Sequence, residues 1–84
     1  MRRIGKVLHL ARSGELVVRS DFGFAPRIGD RAYGPDLREV GVVSDVFGPV
    51  AAPYVAVRPL IDDPSRLVGK ILYVRRRGRG WRRG

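Results

Sequence analysis

Apolar and polar positions alternate along this chain in short stretches, each stopped by glycine, proline or a cluster of charge. Ile4 to Leu10 (Ile-Gly-Lys-Val-Leu-His-Leu) predicts a first strand, with Gly5 marking a bulge or a close approach. Arg12-Ser13-Gly14-Glu15 predicts a turn, and Leu16 to Arg19 a second strand rich in β-branched residues. Phe22-Gly23-Phe24-Ala25-Pro26 breaks the alternation and predicts a loop. Its two phenylalanines either fold back as a lid over one end of the domain or form a second contact point. Ile28 to Tyr33 predicts a short strand with a tight turn at Ile28-Gly29-Asp30. Gly34-Pro35-Asp36 is punctuation, with room for one helical turn near Asp36 to Arg38. A long fourth strand is expected over Glu39 to Phe47, a fifth over Tyr54 to Arg58, a loop over Pro59 to Arg66, and a sixth strand over Val68 to Arg75.

Six short strands with no twelve-residue helical period predict an all-β domain. A sheet this small avoids exposed edges most simply by closing into a barrel.

The fourth strand and its sequel depart from ordinary alternation. At period two, Val40, Val42, Ser44 and Val46 share one face, and Gly41, Val43, Asp45 and Phe47 the other. A half-buried strand is apolar on one face only; here both faces are largely apolar. The twelve residues from Val46 to Val57 then carry no charge, although 30% of the chain is charged and such a window should hold about three or four. One explanation is burial of the whole run as two strands and their connection. The other is an outer surface that a partner covers. Pro49 and Pro53 lie inside the run, and proline cannot donate to a strand ladder. Gly48 to Pro53 is therefore expected to be a connection, and connections lie at the surface. An apolar connection at the surface marks a contact site.

Composition narrows the choice. Eighty-four residues make one domain, which buries only about 60–65% of its unfolded surface. There is no cysteine, so disulfide and thiol chemistry are excluded. That suits a reducing cell interior, and a prokaryotic cytoplasm is expected. No signal peptide or membrane span is expected from the first residues. The net charge is +9, but residues 75–84 hold six arginines and no acid, which leaves 9 − 6 = +3 on residues 1–74. The body is mildly basic and the polycation is a tail. A body that gripped RNA alone would carry a denser basic face. Asn, Gln, Thr and Cys are absent and arginine outnumbers lysine fifteen to two. A heat-loving source and a GC-rich genome both explain this bias.

Candidate chemistry is sparse. His9 is the sole histidine, and the four serines (Ser13, Ser20, Ser44, Ser65) have no other evident base. Asp62-Asp63 before Pro64 is more simply a solvated turn than a cation site, which wants six or more oxygens. No glycine-rich turn opens a helix, so no phosphate loop is present. An enzyme, a metal site, a cofactor or a small-molecule substrate is not expected. In the tail, Arg75, Arg76, Arg77, Arg79, Arg82 and Arg83 are suited to phosphates and Trp81 to stacking on a base. The same Arg/Gly composition suits a solubilising terminus.

Gly41-Val42-Val43-Ser44-Asp45-Val46-Phe47-Gly48-Pro49, followed by Pro53-Tyr54-Val55-Ala56-Val57, resembles the glycine/arginine-rich-protein subunit of H/ACA ribonucleoprotein in its compact archaeal form. Arg3 to His9 and Val68 to Val74 extend the similarity to about residues 2–74. The resemblance implies a closed six-stranded Greek-key barrel like the second domain of translation elongation factors. It implies a non-catalytic subunit that docks on the RNA-guided pseudouridine synthase, meets guide RNA and substrate rRNA only indirectly through the complex, and assists substrate placement and product release in rRNA pseudouridylation and ribosome biogenesis. The uncharged run matches the family's synthase-facing surface. The family takes its name from long Gly/Arg tails, whereas here the Arg/Gly stretch is ten residues, and Val42 stands where related chains often carry a charge.

The expectation is thus a barrel over residues 1–74 and an Arg/Gly tail over 75–84. Gly41, Gly48 and Pro49 would shape the docking surface. Val43, Val46, Phe47, Pro53 and Tyr54 would supply its apolar contact, with Asp45 on the rim. The rival expectation is a free-standing RNA-binding barrel of ribosomal type, in which residues 1–74 bind RNA alone with a steep salt slope.

Overall fold

The computed structural model describes residues 1–20 and 25–75. It is an antiparallel barrel of six strands: β1 (Arg2–Leu10), β2 (Leu16–Ser20), β3 (Arg31–Tyr33), β4 (Glu39–Phe47), β5 (Tyr54–Pro59) and β6 (Ile71–Val74). The order around the closed barrel is β1-β2-β5-β4-β3-β6. Strands β3, β4 and β5 form a meander, and β2 returns beside β5, which is the Greek-key arrangement. Every strand has two hydrogen-bonded neighbours, so the barrel has no free edge.

Closure depends on bulges. Leu8 is left unpaired against β2 and Ile4 against β6, the latter beside Gly5. In β4, Val40 is the extra residue against β3 and Ser44 against β5. Each bulge bends its strand and shifts which side chains point inward. This explains the two apolar faces of β4. Val40 and Val43 both point into the core although they are an odd number of positions apart, while Val42 and Val46 are half-buried.

The core consists of Ile4, Val7, Leu16, Val18, Ala32, Val40, Val43, Val55, Val57, Leu67, Leu72 and Val74, with Val46 and Ile61 packed against it. None of these is aromatic. Leu67 enters from a short 3-10 helix, Pro64–Leu67, which plugs one end. Pro64 begins that helix with its φ already set, and the Ser65 hydroxyl donates to Asp63 Oδ1 at 2.6 Å.

Two expectations about local structure change. The helical turn lies at 64–67 rather than at 36–38, where the chain makes a hairpin turn with Gly34 N–H donating to Arg38 O at 2.9 Å. Strand β6 begins at Ile71, because Val68–Gly69 forms a turn and Gly69 has φ 86°. The turn at Ile28–Gly29 is present, with Asp30 N–H donating to Arg27 O at 3.0 Å. No helix among the described residues is long and apolar enough to cross a membrane.

Gly41 on β4 packs tightly against β5. A Cβ there would lie 2.4 Å from Arg58 O and 2.8 Å from Val57 Cγ1. Gly41→Ala is predicted to force the strands apart and lower stability by about 2–3 kcal/mol, read as a lower denaturant midpoint. An unchanged midpoint would show that the strands can separate freely.

Candidate docking surface at the β4–β5 corner

The uncharged run divides in two. Val55, Ala56 and Val57 are buried and Val55 and Val57 belong to the core. Phe47, Gly48, Pro49, Val50 and Ala51 are exposed. Phe47 keeps 45% of its surface in water and Val50 keeps 93%. Burial accounts for the second half of the run and not for the first.

The corner is shaped by specific residues. Phe47 pairs with Tyr54 across the ladder, and their rings stack with centroids 5.7 Å apart and planes 23° apart. Gly48 leaves the strand with φ 90°, a backbone conformation that side chains disfavour. A Cβ there would also meet Tyr54 Cδ2 at 2.9 Å. Ala52 N–H donates to Pro49 O at 3.2 Å and closes the turn. Pro53 is buried, and its carbonyl accepts from Ser20 N–H at 3.0 Å, which ties the corner to the end of β2. Both prolines withhold donors from the exposed backbone.

The other expected residues occupy different places. Val43 is 1% exposed and lies in the core, so its side chain does not reach a docking surface; this corrects the expectation of a direct contact. Its inward position follows from the two bulges flanking it. Pro53 likewise supports the surface from beneath. Gly41 is buried at the β4–β5 approach, eight carbonyl steps from the chain's exit at Pro49, and acts on the barrel rather than on the corner. Val46 is half-buried and packs against the core. Asp45 is exposed at the bulge, and its Oδ1 accepts from Val46 N–H at 2.8 Å. Phe47, Gly48, Pro49 and Tyr54 therefore make the surface, with Asp45 on its edge.

Strand pairing adds neighbours that the linear sequence hides. Tyr54 pairs with Arg19, and Arg19 with Lys6, so a line across four strands runs Lys6, Arg19, Tyr54, Phe47. Lys6 and Arg19 are exposed. The apolar corner thus has a basic border on the β1–β2 side. Val50, the most exposed apolar side chain of the run, was also not singled out by its type; only the turn's geometry shows it.

Of the tail residues, Arg75 is described. Its guanidinium lies 5.9 Å from the Tyr33 ring centroid, a cation–π contact that seats the start of the tail on the barrel. Arg76, Arg77, Arg79, Trp81, Arg82 and Arg83 lie outside the described residues, as do Phe22 and Phe24.

The groups considered for catalysis are dispersed. His9 is exposed on β1 opposite Val17. The Ser13 hydroxyl donates to Glu15 Oε1 at 3.2 Å, and the Ser44 hydroxyl is shared between Glu15 Oε2 and Ala56 O. These hydroxyls tie the β1–β2 turn to the β4 bulge. Among the described residues no three His, Cys, Asp or Glu side chains gather where they could hold a metal ion.

No family model matches the chain. A protein of Methanothermobacter thermautotrophicus (strain Delta H), described only as uncharacterized, is 31% identical over 78 residues, covering 88% of this chain and 83% of that protein.

Gly48→Ala should strain the turn and push the Tyr54 ring aside. The expected result is a loss of about 1–2 kcal/mol of stability together with a changed near-ultraviolet tyrosine signal. A folded variant with an unaltered signal would contradict the account of the corner.

Proposed function

We propose that this chain, which belongs to the same family as the Methanothermobacter thermautotrophicus protein, is a non-catalytic subunit that docks by its β4–β5 corner on a pseudouridine synthase. In this role it assists substrate RNA placement and product release in guide-RNA-directed rRNA pseudouridylation, and so contributes to ribosome biogenesis. The observation that carries the reading is the position of Phe47 to Val50. These residues belong to an uncharged stretch, yet they stand outside the barrel on a turn held in shape by Gly48, Pro49 and the Ser20–Pro53 bond. Apolar surface left in water costs about 25 cal/mol per Å² relative to burial. A partner that covers the stacked Phe47–Tyr54 pair recovers that amount and meets an already ordered surface, which limits the entropy lost on binding. The similarity of Gly41–Pro49 and Pro53–Val57 to the H/ACA glycine/arginine-rich subunit supplies the identity of the partner.

The border of Lys6 and Arg19 favours one second reading, in which RNA lies across the same four strands and stacks on the aromatic pair. The two readings differ in salt dependence. Protein docking through apolar contact tolerates salt, whereas RNA binding weakens steeply with it.

Phe47→Ala is predicted to weaken binding to the synthase subunit by about 1–4 kcal/mol, measured by calorimetric titration at moderate salt. The half-exposed ring adds little to the core, so the variant should remain folded by circular dichroism. Unchanged affinity in a folded variant would remove Phe47 from the interface.

A further inference from the structure

A second candidate site lies at the start of β4. Glu39 and Phe47 are eight strand steps apart, at most about 26 Å along a strand that two bulges bend. There a cleft of about 440 Å³ opens between the Gly34–Arg38 turn and the 3-10 helix. Val40 and Leu67 contribute its apolar lining, and Arg38, Arg66 and Lys70 bring three positive charges against the single acid Asp36. Asp36 is already engaged: its Oδ1 accepts from Arg38 N–H at 3.2 Å, and Oδ2 lies 3.7 Å from Arg38 Nε. Arg66 and Lys70 are exposed and form no ion pair among the described residues. The cleft therefore has a surplus of positive charge that the barrel itself does not use.

An independent feature lies beside it. Leu37 has φ 65° and is the sole non-glycine residue with positive φ among the described residues. It occupies the left-handed position of a short hairpin loop, bracketed by Leu37 N–H to Gly34 O and Gly34 N–H to Arg38 O, both at 2.9 Å. Glycine or asparagine ordinarily fills such a position. Packing does not compensate for the strain, because the leucine side chain is 55% exposed. A strained residue that the fold does not require points to a role outside the fold.

We propose that this cleft binds single-stranded RNA, with Arg38, Arg66 and Lys70 holding backbone phosphates and Leu37 covering the face of a ribose or base. Guanidinium groups engage phosphate oxygens in pairs. The chain's net charge of +9 draws a polyanion toward it. An apolar side chain raised at the edge of a cationic cleft suits a nucleotide, which has both a charged and an apolar part, better than it suits a run of carboxylates. The site goes beyond the docking reading: the corner would hold protein while the cleft holds RNA, and neither depends on the other.

The test is an NMR titration of the full 84-residue chain, labelled with nitrogen-15, with a ten-nucleotide oligouridylate and separately with a ten-residue polyglutamate peptide. The proposal expects amide shifts at 35–40 and 66–70 that saturate with RNA and are absent with the peptide. The double variant R66E/K70E should lose these shifts and bind RNA about tenfold or more weakly at low salt. L37G should raise the thermal midpoint, because it relieves the left-handed leucine, and should still weaken RNA binding. Shifts confined to 75–84, or an equal response to polyglutamate, would overturn the proposal. So would an L37G variant that binds RNA as tightly as the parent chain.

Discussion

Among the described residues the core of this barrel is wholly aliphatic. Twelve core residues, all Ile, Val, Leu or Ala, fill the space enclosed by six strands. Their packing is possible because β4 and β5 meet at Gly41, where a single methyl group would strike the Arg58 carbonyl. Phe47, Tyr54, Tyr33 and Tyr73 are all left at or near the outside. Phe47 stands outside that core, with its ring stacked on Tyr54 and 45% of its surface in water.

A corner that merely happened to be apolar would need little scaffolding. This one has several supports: the left-handed Gly48, two prolines, the Pro49–Ala52 turn bond and the Ser20–Pro53 bond to β2. Together they hold Phe47, Pro49 and Val50 on an ordered turn. At the start of β4 the pattern differs. Three basic side chains there surround an apolar floor of Val40 and Leu67, and the strained residue is Leu37, which is largely exposed.

Much of the fold was legible in the sequence. Punctuation by glycine and proline separated all six strands, although the expected third and sixth strands began three residues early. What alternation missed came from bulges, which change the period without any change in residue type. Val43 was expected at the surface because a regular strand would put it beside Asp45 and Phe47; the extra residues Val40 and Ser44 turn it inward. The 3-10 helix was missed because four residues carry no period, although Pro64 after two acids was a usable start signal. At the site, Phe47, Gly48, Pro49 and Tyr54 were legible from charge depletion and proline alone. Arg19 and Lys6 were not, since their nearness to Tyr54 arises from strand register between segments far apart in the chain.

The most direct measurement is calorimetric mixing of the intact chain with the purified synthase subunit, once without RNA and once with guide RNA present. If the corner is a protein-docking surface, saturable one-to-one binding appears in the RNA-free experiment and guide RNA leaves the affinity nearly unchanged. Heat that appears only when RNA is added would contradict this and would assign the corner to RNA contact.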